Sequence, residues 1–233
     1  MSSGATLPLI RPLALPVEHG AWSFLLEPIA LGLLVAPSVR GLLIAIGAVA
    51  VFLVRHPAKL MITDWRRKRY PRTAVCEALV AIYGAVAVTA FAFAFGRALI
   101  PLLFAVPFAV VVFVSKRNRS LVSELCGAIA PAAVVVAIAG SPLLGVLVLC
   151  RSIPAVLYVR SALRGESRMA MLAAHAVAIV IAALISWFAV IPMALLFART
   201  LIPTNGVRAQ TIGMREIAYG AMFVGLTAIG WSV

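Results

Sequence analysis

The chain has 233 residues, of which 64% are hydrophobic and 12% charged, with a net charge of +13 and a mean hydropathy of +1.12. Soluble domains have about 45–50% apolar and about 25% charged residues, so this composition excludes a soluble protein and predicts an integral membrane protein. The basic excess does not indicate nucleic-acid binding, because no polar stretch is long enough for a binding module. It is typical of the positive-inside rule and of contact with anionic lipid.

Proline, glycine and charged residues divide the chain into nine apolar segments, each close to the length that a transmembrane helix needs. The alternation typical of a membrane β-barrel is absent. The predicted fold class is therefore an all-α, polytopic helical bundle, with residues 1–233 as a single transmembrane domain. We expect no cleaved signal peptide. The predicted spans are 20–37, 40–58, 74–95, 98–115, 121–139, 142–162, 169–185, 187–203 and 214–232.

The first predicted span carries a polar stripe. His19, Trp22 and Ser23 lie at i, i+3 and i+4 on one helix face, and Glu27 continues the stripe two turns deeper. An ionisable residue within a span is costly and usually faces the bundle interior or a wet cavity. His19 and Glu27 are therefore the candidate catalytic proton acceptors, and Trp22 a candidate ligand contact. The alternative for His19 and Trp22 is an ordinary interfacial position.

The second span, 40–58, runs into a basic segment, 56–73, and we predict a cytoplasmic loop after the end of the span. It holds seven basic side chains, one of them a histidine, around Asp64, the only aspartate of the chain. The run Arg66–Arg69 is explained mostly as a topology signal. The candidate binding residues of this segment are His56, Lys59, Asp64 and Arg66.

A second basic loop follows the fourth span. It contributes Lys116 and Arg117 as candidate binding residues. Glu124, at the start of the fifth span, either orients these cations in a binding site or simply pairs with the basic loop.

The sixth span contains a charged residue, Arg151, that lies too deep to be explained by the positive-inside rule. Arg151 lies in mid-segment, and Tyr158 and Arg160 follow toward the cytoplasmic end. We predict an ion pair between Arg151 and Glu27, because an unpaired buried charge is far more costly than a paired one. Tyr158 is either a ligand contact or an ordinary residue of the aromatic belt.

The remaining polar residues of the apolar segments have simpler explanations. His175, alone on an apolar face of the seventh span, is predicted to be a hydrogen-bonded core histidine. Cys76, Cys126 and Cys150 show no paired spacing and are predicted to be buried thiols. Ser186 and Trp187 alone separate the seventh and eighth spans, which indicates a tight helical hairpin.

The basic residues also predict the orientation. Loops after even-numbered spans hold most of the chain's lysines and arginines, whereas the opposite loops hold only Arg40 and Arg97. The N-terminus and the even loops are therefore predicted to be cytoplasmic, and the C-terminus external.

With this orientation, the polar stripe of the first span and the basic ends of the second, fourth and sixth spans lie on one side of the membrane. This predicts a cytoplasm-facing cationic pocket, which suits phosphate or carboxylate oxygens above an apolar space for a lipid tail.

Four stretches carry a family resemblance: "LPVEHGAWSFLLEPIALGLL", "RNRSLVSELCGAI", "RSIPAVLYVRSALR" and "IGMREIAYGAMF". They resemble the YwiC-like family of bacterial membrane proteins over nearly the whole chain. The most specific element is the run from His19 to Trp22. This resemblance implies a multi-pass protein of the bacterial inner (cytoplasmic) membrane and assigns no activity.

The layout also resembles the UbiA superfamily of intramembrane prenyltransferases, which have nine helices and polar loops after spans two, four and six. At the spacing of the superfamily's first aspartate motif, this chain has His56, Pro57, Leu60 and Asp64, so only the last acid is present. The second acidic motif falls on the basic "RSIPAVLYVRSALRGES". Because Mg²⁺ bridges a diphosphate through carboxylates, the resemblance does not extend to a standard Mg²⁺-diphosphate site, and we predict no metal site and no cofactor.

Three functions stay open at this point. The first is a UbiA-like protein that binds an anionic-headed amphiphile, an isoprenoid phosphate or a quinone-like lipid, with divergent, Mg²⁺-independent transferase activity. The second is a non-catalytic lipid binder or accessory protein, and the third is a small-solute transporter, which the lack of an inverted repeat disfavours. The predicted partners are membrane lipids and this ligand, with no nucleic acid. The oligomeric state and the ligand's identity do not follow from the sequence.

Overall fold

The computed structural model describes residues 13–15, 19–68, 72–115, 120–202 and 207–232, except for the side chains of residues 19–21. Within these ranges the regular structure is helical, without β-strands. The helices are α1 His19–Val35, α2 Val39–Arg67, α3 Thr73–Phe93, α4 Ile100–Val114, α5 Leu121–Ile129, α6 Ala132–Ala139, α7 Pro142–Arg164, α8 Arg168–Ile185, α9 Trp187–Ala198 and α10 Ala209–Trp231.

The helices have the length and composition of a membrane bundle. Seven helical stretches in the described part are long and apolar enough to cross a bilayer, and two apolar ones, Trp22–Val35 and Trp187–Leu201, are shorter. The predicted fold class, a polytopic helical membrane protein, is therefore confirmed. The count of nine spans, the orientation and the UbiA-like layout stay predictions.

The second helix corrects one prediction. α2 runs through Pro57 to Arg67, so residues 59–67, predicted to belong to the loop after the second span, are helical. The segment "AKLMITDW" consists largely of residues that a helix accommodates well, and neighbouring helices hold it in place. The helix ends at Lys68, whose left-handed backbone (φ 52°) lets its N–H reach the carbonyl oxygens of Asp64 and Trp65.

Two predicted spans differ from the observed helices. The fifth divides into α5 and α6 at Ala130 and Pro131, because a proline cannot donate the helical hydrogen bond at its position. The eighth is short: α9 ends at Ala198, and a 3₁₀ turn, Arg199–Leu201, follows. The tight hairpin between α8 and α9 at Ser186 is confirmed.

The main core positions the charged groups described below. It joins Leu31 of α1, Val135 of α6, Leu147 of α7, Met193 of α9 and Phe223 of α10. α1 packs against α10 and α6, α7 packs against α6 and α8, and α9 lies against α8 and α10. The inner faces of α1, α7 and α10 and the end of α9 thereby meet.

Candidate functional site

Four charged side chains meet inside the bundle; we call them the buried charge cluster. They are Glu27 of α1, Arg151 of α7, Arg199 of the turn after α9 and Glu216 of α10, with exposed fractions of 7%, 2%, 3% and 6%. At 1.5 Å per residue, Arg151 is about 14 Å from the start of α7 and about 20 Å from its end. The cluster therefore lies in the apolar interior, with two positive and two negative side chains.

Arg151 joins three helices. Its Nη2 donates to Glu27 Oε1 at 3.3 Å and to the Glu216 carbonyl oxygen at 3.0 Å, and its Nη1 donates to Glu216 Oε2 at 3.2 Å. The predicted Arg151–Glu27 ion pair is thus confirmed. The Ser23 hydroxyl, one turn before Glu27, also donates to Glu27 Oε1. A helix can place a donor at i−4 in this way because residues four apart share a face.

Arg199 binds the carboxylate oxygen of Glu216 that Arg151 does not bind. Its Nη1 donates to Glu216 Oε1, so one carboxylate accepts hydrogen bonds from both arginines. Its guanidinium carbon lies 4.2 Å from the centre of the Tyr158 ring and 5.0 Å from that of Tyr219. Aromatic faces stabilise a guanidinium that has left water.

One edge of the Arg199 guanidinium is without an acceptor. Neither Nε nor Nη2 has a hydrogen-bond partner among the described residues, and the same holds for Arg151 Nε. Two other arginines of this chain use the corresponding Nε–Nη2 edge fully, each to bind a carboxylate. Arg72 donates from Nε and Nη2 to the two oxygens of Asp64, at 2.8 and 3.0 Å, and Arg160 grips both oxygens of Glu166 in the same way. Arg199 thus presents a buried fork of the kind that holds carboxylates and phosphates.

A second group of charges lies at the end of α7 that is predicted to be cytoplasmic. Glu124 accepts from Arg160 Nη1 at 2.7 Å and from Arg164 Nη2 at 2.8 Å, so it ties the start of α5 to α7. Glu166, in the loop after α7, accepts from Arg160 Nε at 2.6 Å. The hydrogen bonds from Arg160 hold the pKa of the Glu166 carboxyl below its ordinary value. Both partners of Glu124 belong to α7, and the basic loop 116–119 lies outside the described residues, so pairing of Glu124 with that loop stays a prediction.

The candidates on α2 lie in separate places. Asp64 is buried and forms the fork with Arg72, which joins the last turn of α2 to the residue before α3 and raises the pKa of Arg72 above its ordinary value. Lys59 Nζ donates at 2.9 Å to the Val112 carbonyl oxygen in the last turn of α4, where a cation complements the helix dipole. His56 is half-buried and Arg66 exposed.

An apolar groove, of about 450 Å³, lies between α1, α2 and α3. Its lining side chains are aliphatic apart from Tyr83, and they include Ile29 and Leu33 of α1. Two residues along a helix turn the face by about 200°. Ile29 therefore points away from the side of α1 that carries Glu27, and the groove does not adjoin the buried charge cluster.

Comparison with known proteins identifies the family. The family described as "YwiC-like protein" matches residues 15–139, slightly more than half of the chain. The chain belongs to the YwiC-like family. No curated protein and no solved structure shows a significant match.

The YwiC-like match covers α1 to α6 and therefore includes only one member of the buried charge cluster, Glu27. Arg151, Arg199 and Glu216 follow in the second half of the chain. The tertiary fold of this YwiC-like protein joins the two halves at the cluster.

The predicted site residues fall into groups. Glu27, Arg151 and Tyr158 come together around the buried charge cluster, and Glu124 and Arg160 form the group at the end of α7. Trp22 packs edge-on against Phe52, with 5.1 Å between ring centres. The side chain of His19, and Lys116 and Arg117 entirely, lie outside the described residues.

Sequence reasoning missed two members of the cluster. Glu216 lies only two residues after the predicted start of the last span, and Arg199 lies near the predicted end of the eighth, where the positive-inside rule explains an arginine. One signal was present in the sequence: Gly220 lies one turn after Glu216 on the same helix face, and a small residue there leaves room for a neighbouring helix. His175 is buried, and its Nδ1 lies 2.8 Å from the Met171 carbonyl oxygen, whereas its Nε2 has no hydrogen-bond partner among the described residues, so the predicted core histidine is hydrogen-bonded through one nitrogen only. Cys76 and Cys150 are buried as predicted, and Cys126 is half-buried.

Proposed function

We propose that this YwiC-like protein binds the anionic group of an amphiphile at the buried charge cluster. The observation that carries the proposal is the free Nε–Nη2 edge of Arg199. A buried guanidinium donor without an acceptor costs about 1–3 kcal/mol or more, and a carboxylate or phosphate oxygen removes that cost. Two parallel charge-assisted hydrogen bonds also give the ligand a defined orientation.

The surroundings of Arg199 favour an amphiphile over a small hydrophilic anion. The cluster is enclosed by the apolar core of α1, α6, α7, α9 and α10. The apolar chain of an amphiphile gains free energy when it leaves water for such surroundings, whereas a small hydrophilic anion has no such gain. Tyr158 and Tyr219 cover the guanidinium and complete a site with an apolar body and few polar contacts, as ligand sites usually have.

This proposal moves the predicted head-group site inward. Two predicted head-group cations bind other parts of the chain instead. Lys59 donates to the Val112 carbonyl oxygen, and Arg160 donates to Glu124 and Glu166. Arg151 stays in the proposed site, because its Nε lies free on the same cluster. Access from the cytoplasm follows from the predicted orientation and belongs to the proposal.

A UbiA-like arrangement is consistent with the helix contacts. Most successive helices pack side by side, and the last helix, α10, packs on the first, α1. Transferase chemistry with His19 or Glu27 as proton acceptor remains a hypothesis from the sequence. Ligand binding does not depend on it.

A transporter is the second candidate, and the short α9 favours it. α9 has 12 residues, and the 3₁₀ turn that follows it begins at the buried Arg199. Transporters commonly place the ends of unusually short or interrupted helices beside substrate sites near the middle of the membrane. A carrier for the same anionic ligand would use the same arginine fork.

Native mass spectrometry of the purified protein tests the proposal and names the retained lipid. Arg199→Lys keeps the positive charge but cannot form the fork. Loss of about 1.5–3 kcal/mol of charged hydrogen bonding lowers ligand affinity by roughly tenfold to a hundredfold. The exposed Arg97→Gln is the control. Retention of the same anionic amphiphile by wild type and Arg199→Lys would exclude the Arg199 site, as would retention of uncharged lipids alone.

Titration with decanoate and with decyl phosphate gives a second readout on the same variants. Folding is checked by size-exclusion chromatography and thermal unfolding in detergent. Tighter binding of one probe assigns the head group to the carboxylate or to the phosphate class. Counterflow of the preferred probe into proteoliposomes separates a carrier from a static binder.

A further inference from the structure

The two acids of the buried charge cluster are held very differently. Glu216 accepts from both arginines through both of its carboxylate oxygens, and its carbonyl oxygen accepts from Arg151 as well. The hydrogen bonds described for Glu27 both reach one oxygen, Oε1: a long one of 3.3 Å from Arg151, and one from the Ser23 hydroxyl. Glu27 is thus the less tightly paired acid.

The charge balance of the cluster limits what it can bind. Two arginines and two glutamates leave no net charge. An anion on the free edge of Arg199 adds a negative charge in an apolar interior, where an uncompensated charge costs several kcal/mol. One proton on one of the two carboxylates restores neutrality.

We propose that the site takes up one proton with each anion, and that the Glu27 carboxylate receives it. This rests on the proposed anion site at Arg199. The proton comes from solvent, or from the ligand if that arrives as the free acid, and it forms an O–H bond on the Glu27 carboxylate. No electrons are transferred. Arg151, released from Glu27, can then turn its charge toward the bound anion.

The neighbours of Glu27 support this assignment. The charged groups that act on it are Arg151 of α7, Glu216 of α10 and Arg199. The described contacts of α2 with α1 are apolar and include Ile44 and Phe52. α6 has no titratable residue, and the acid of α5, Glu124, pairs with arginines of α7. The other titratable residue of α5 is Cys126.

Glu216 is the poorer acceptor for the proton. A proton there would weaken hydrogen bonds to two arginines at once. A proton on Glu27 weakens one long ion pair, and the Ser23 hydroxyl can reverse its role and accept from the acid, because a hydroxyl both donates and accepts.

Calorimetry with decanoate tests the inference on the full-length protein in detergent. Decanoate is ionised between about pH 6 and pH 8, so it brings no proton of its own. Titrations in two buffers with different ionisation enthalpies count the protons taken up. We expect about one proton per ligand for the wild type, and an affinity that falls up to about tenfold for each unit of pH increase.

Glu27→Gln is the decisive variant, because it mimics the protonated acid. We expect it to bind decanoate with no proton uptake and no dependence of the affinity on pH. Glu166→Gln makes the same change in the group of charges at the end of α7, away from the buried charge cluster, and is expected to behave as the wild type. Ser23→Ala keeps the Glu27 charge, removes a donor to it, and is expected to move the pH dependence to higher pH.

The outcomes separate the two proposals. Decanoate binding to the wild type without proton uptake, or uptake that persists in Glu27→Gln, would overturn the proton inference and leave the anion site standing. Failure of the folded wild type to bind either decanoate or decyl phosphate would overturn both. If Glu27→Gln does not fold, an unchanged pH dependence in Ser23→Ala would count against Glu27 as the proton acceptor.

Discussion

Gly220 of α10 lies directly against the carboxylate of Glu27 on α1, and a β-carbon at position 220 would overlap it. The glycine therefore has a steric role, since it makes room for the acid that pairs with Arg151. The close contact also explains how α1 and α10 bring Glu27 and Glu216 to opposite sides of one guanidinium.

We predict that Gly220→Ala displaces the Glu27 carboxylate and lowers the free energy of unfolding by about 1–3 kcal/mol, the usual effect of overpacking. Gly225→Ala on the same helix is the matched control, because nothing lies within 4 Å of an added β-carbon there. Alanine in an open helical position instead stabilises by about 0.5–1 kcal/mol. Thermal unfolding in detergent measures both; equal effects of the two substitutions would contradict the contact.

Arg151 is predicted to be the most sensitive position of the bundle. Arg151→Met leaves the buried Glu27 without its cation and Glu216 with one fewer, so we expect a loss of about 3–5 kcal/mol. Adding Glu27→Gln should recover part of that loss, because it removes one of the stranded charges. Unfolding of the single and double variants in detergent gives the coupling energy. Arg97→Gln is the exposed control, and simple additivity of the two cluster substitutions would refute the ion pair.

The fork between Asp64 and Arg72 is predicted to stabilise the α2–α3 turn. Asp64→Asn removes the charge from a bidentate pair whose acid is buried, and we expect a loss of about 1–3 kcal/mol. Glu77→Gln, an acid-to-amide change at an exposed position of α3, should change stability by less than about 0.5 kcal/mol. Protease cleavage between α2 and α3 should become faster in Asp64→Asn alone. Equal cleavage rates in the two variants would argue against this role.

The pairing of Glu166 with Arg160 predicts a dependence of stability on pH. Because Arg160 lowers the pKa of Glu166 in the folded protein, the pair contributes stability that is fully present above the ordinary glutamate pKa of about 4.3. That contribution disappears as the pH falls from this value through the lower folded pKa. The difference in melting temperature between wild type and Glu166→Gln should therefore shrink below about pH 4. A constant difference across that range would show that the ion pair contributes nothing.

The site was partly predictable from the sequence. Arg151 and Glu27 could be paired because each is an ionisable residue in an apolar segment, and such charges need partners. Glu216 and Arg199 were not found, because their positions near predicted span ends gave them an ordinary explanation as interfacial residues. Only the short α9 and the packing of α10 on α1 bring them inward.

Composition and segment length alone determined that this chain is a helical membrane protein, since a bilayer accepts few other backbones. The motif around His19–Trp22 indicated the YwiC-like family, which the match over residues 15–139 confirms. The continuation of α2 through the basic segment, the break at Pro131 and the free edge of Arg199 depended on the tertiary structure. Hydrophobic periodicity does not encode which charges meet: four ionisable residues spread between positions 27 and 216 become neighbours only when helix packing removes them together from water.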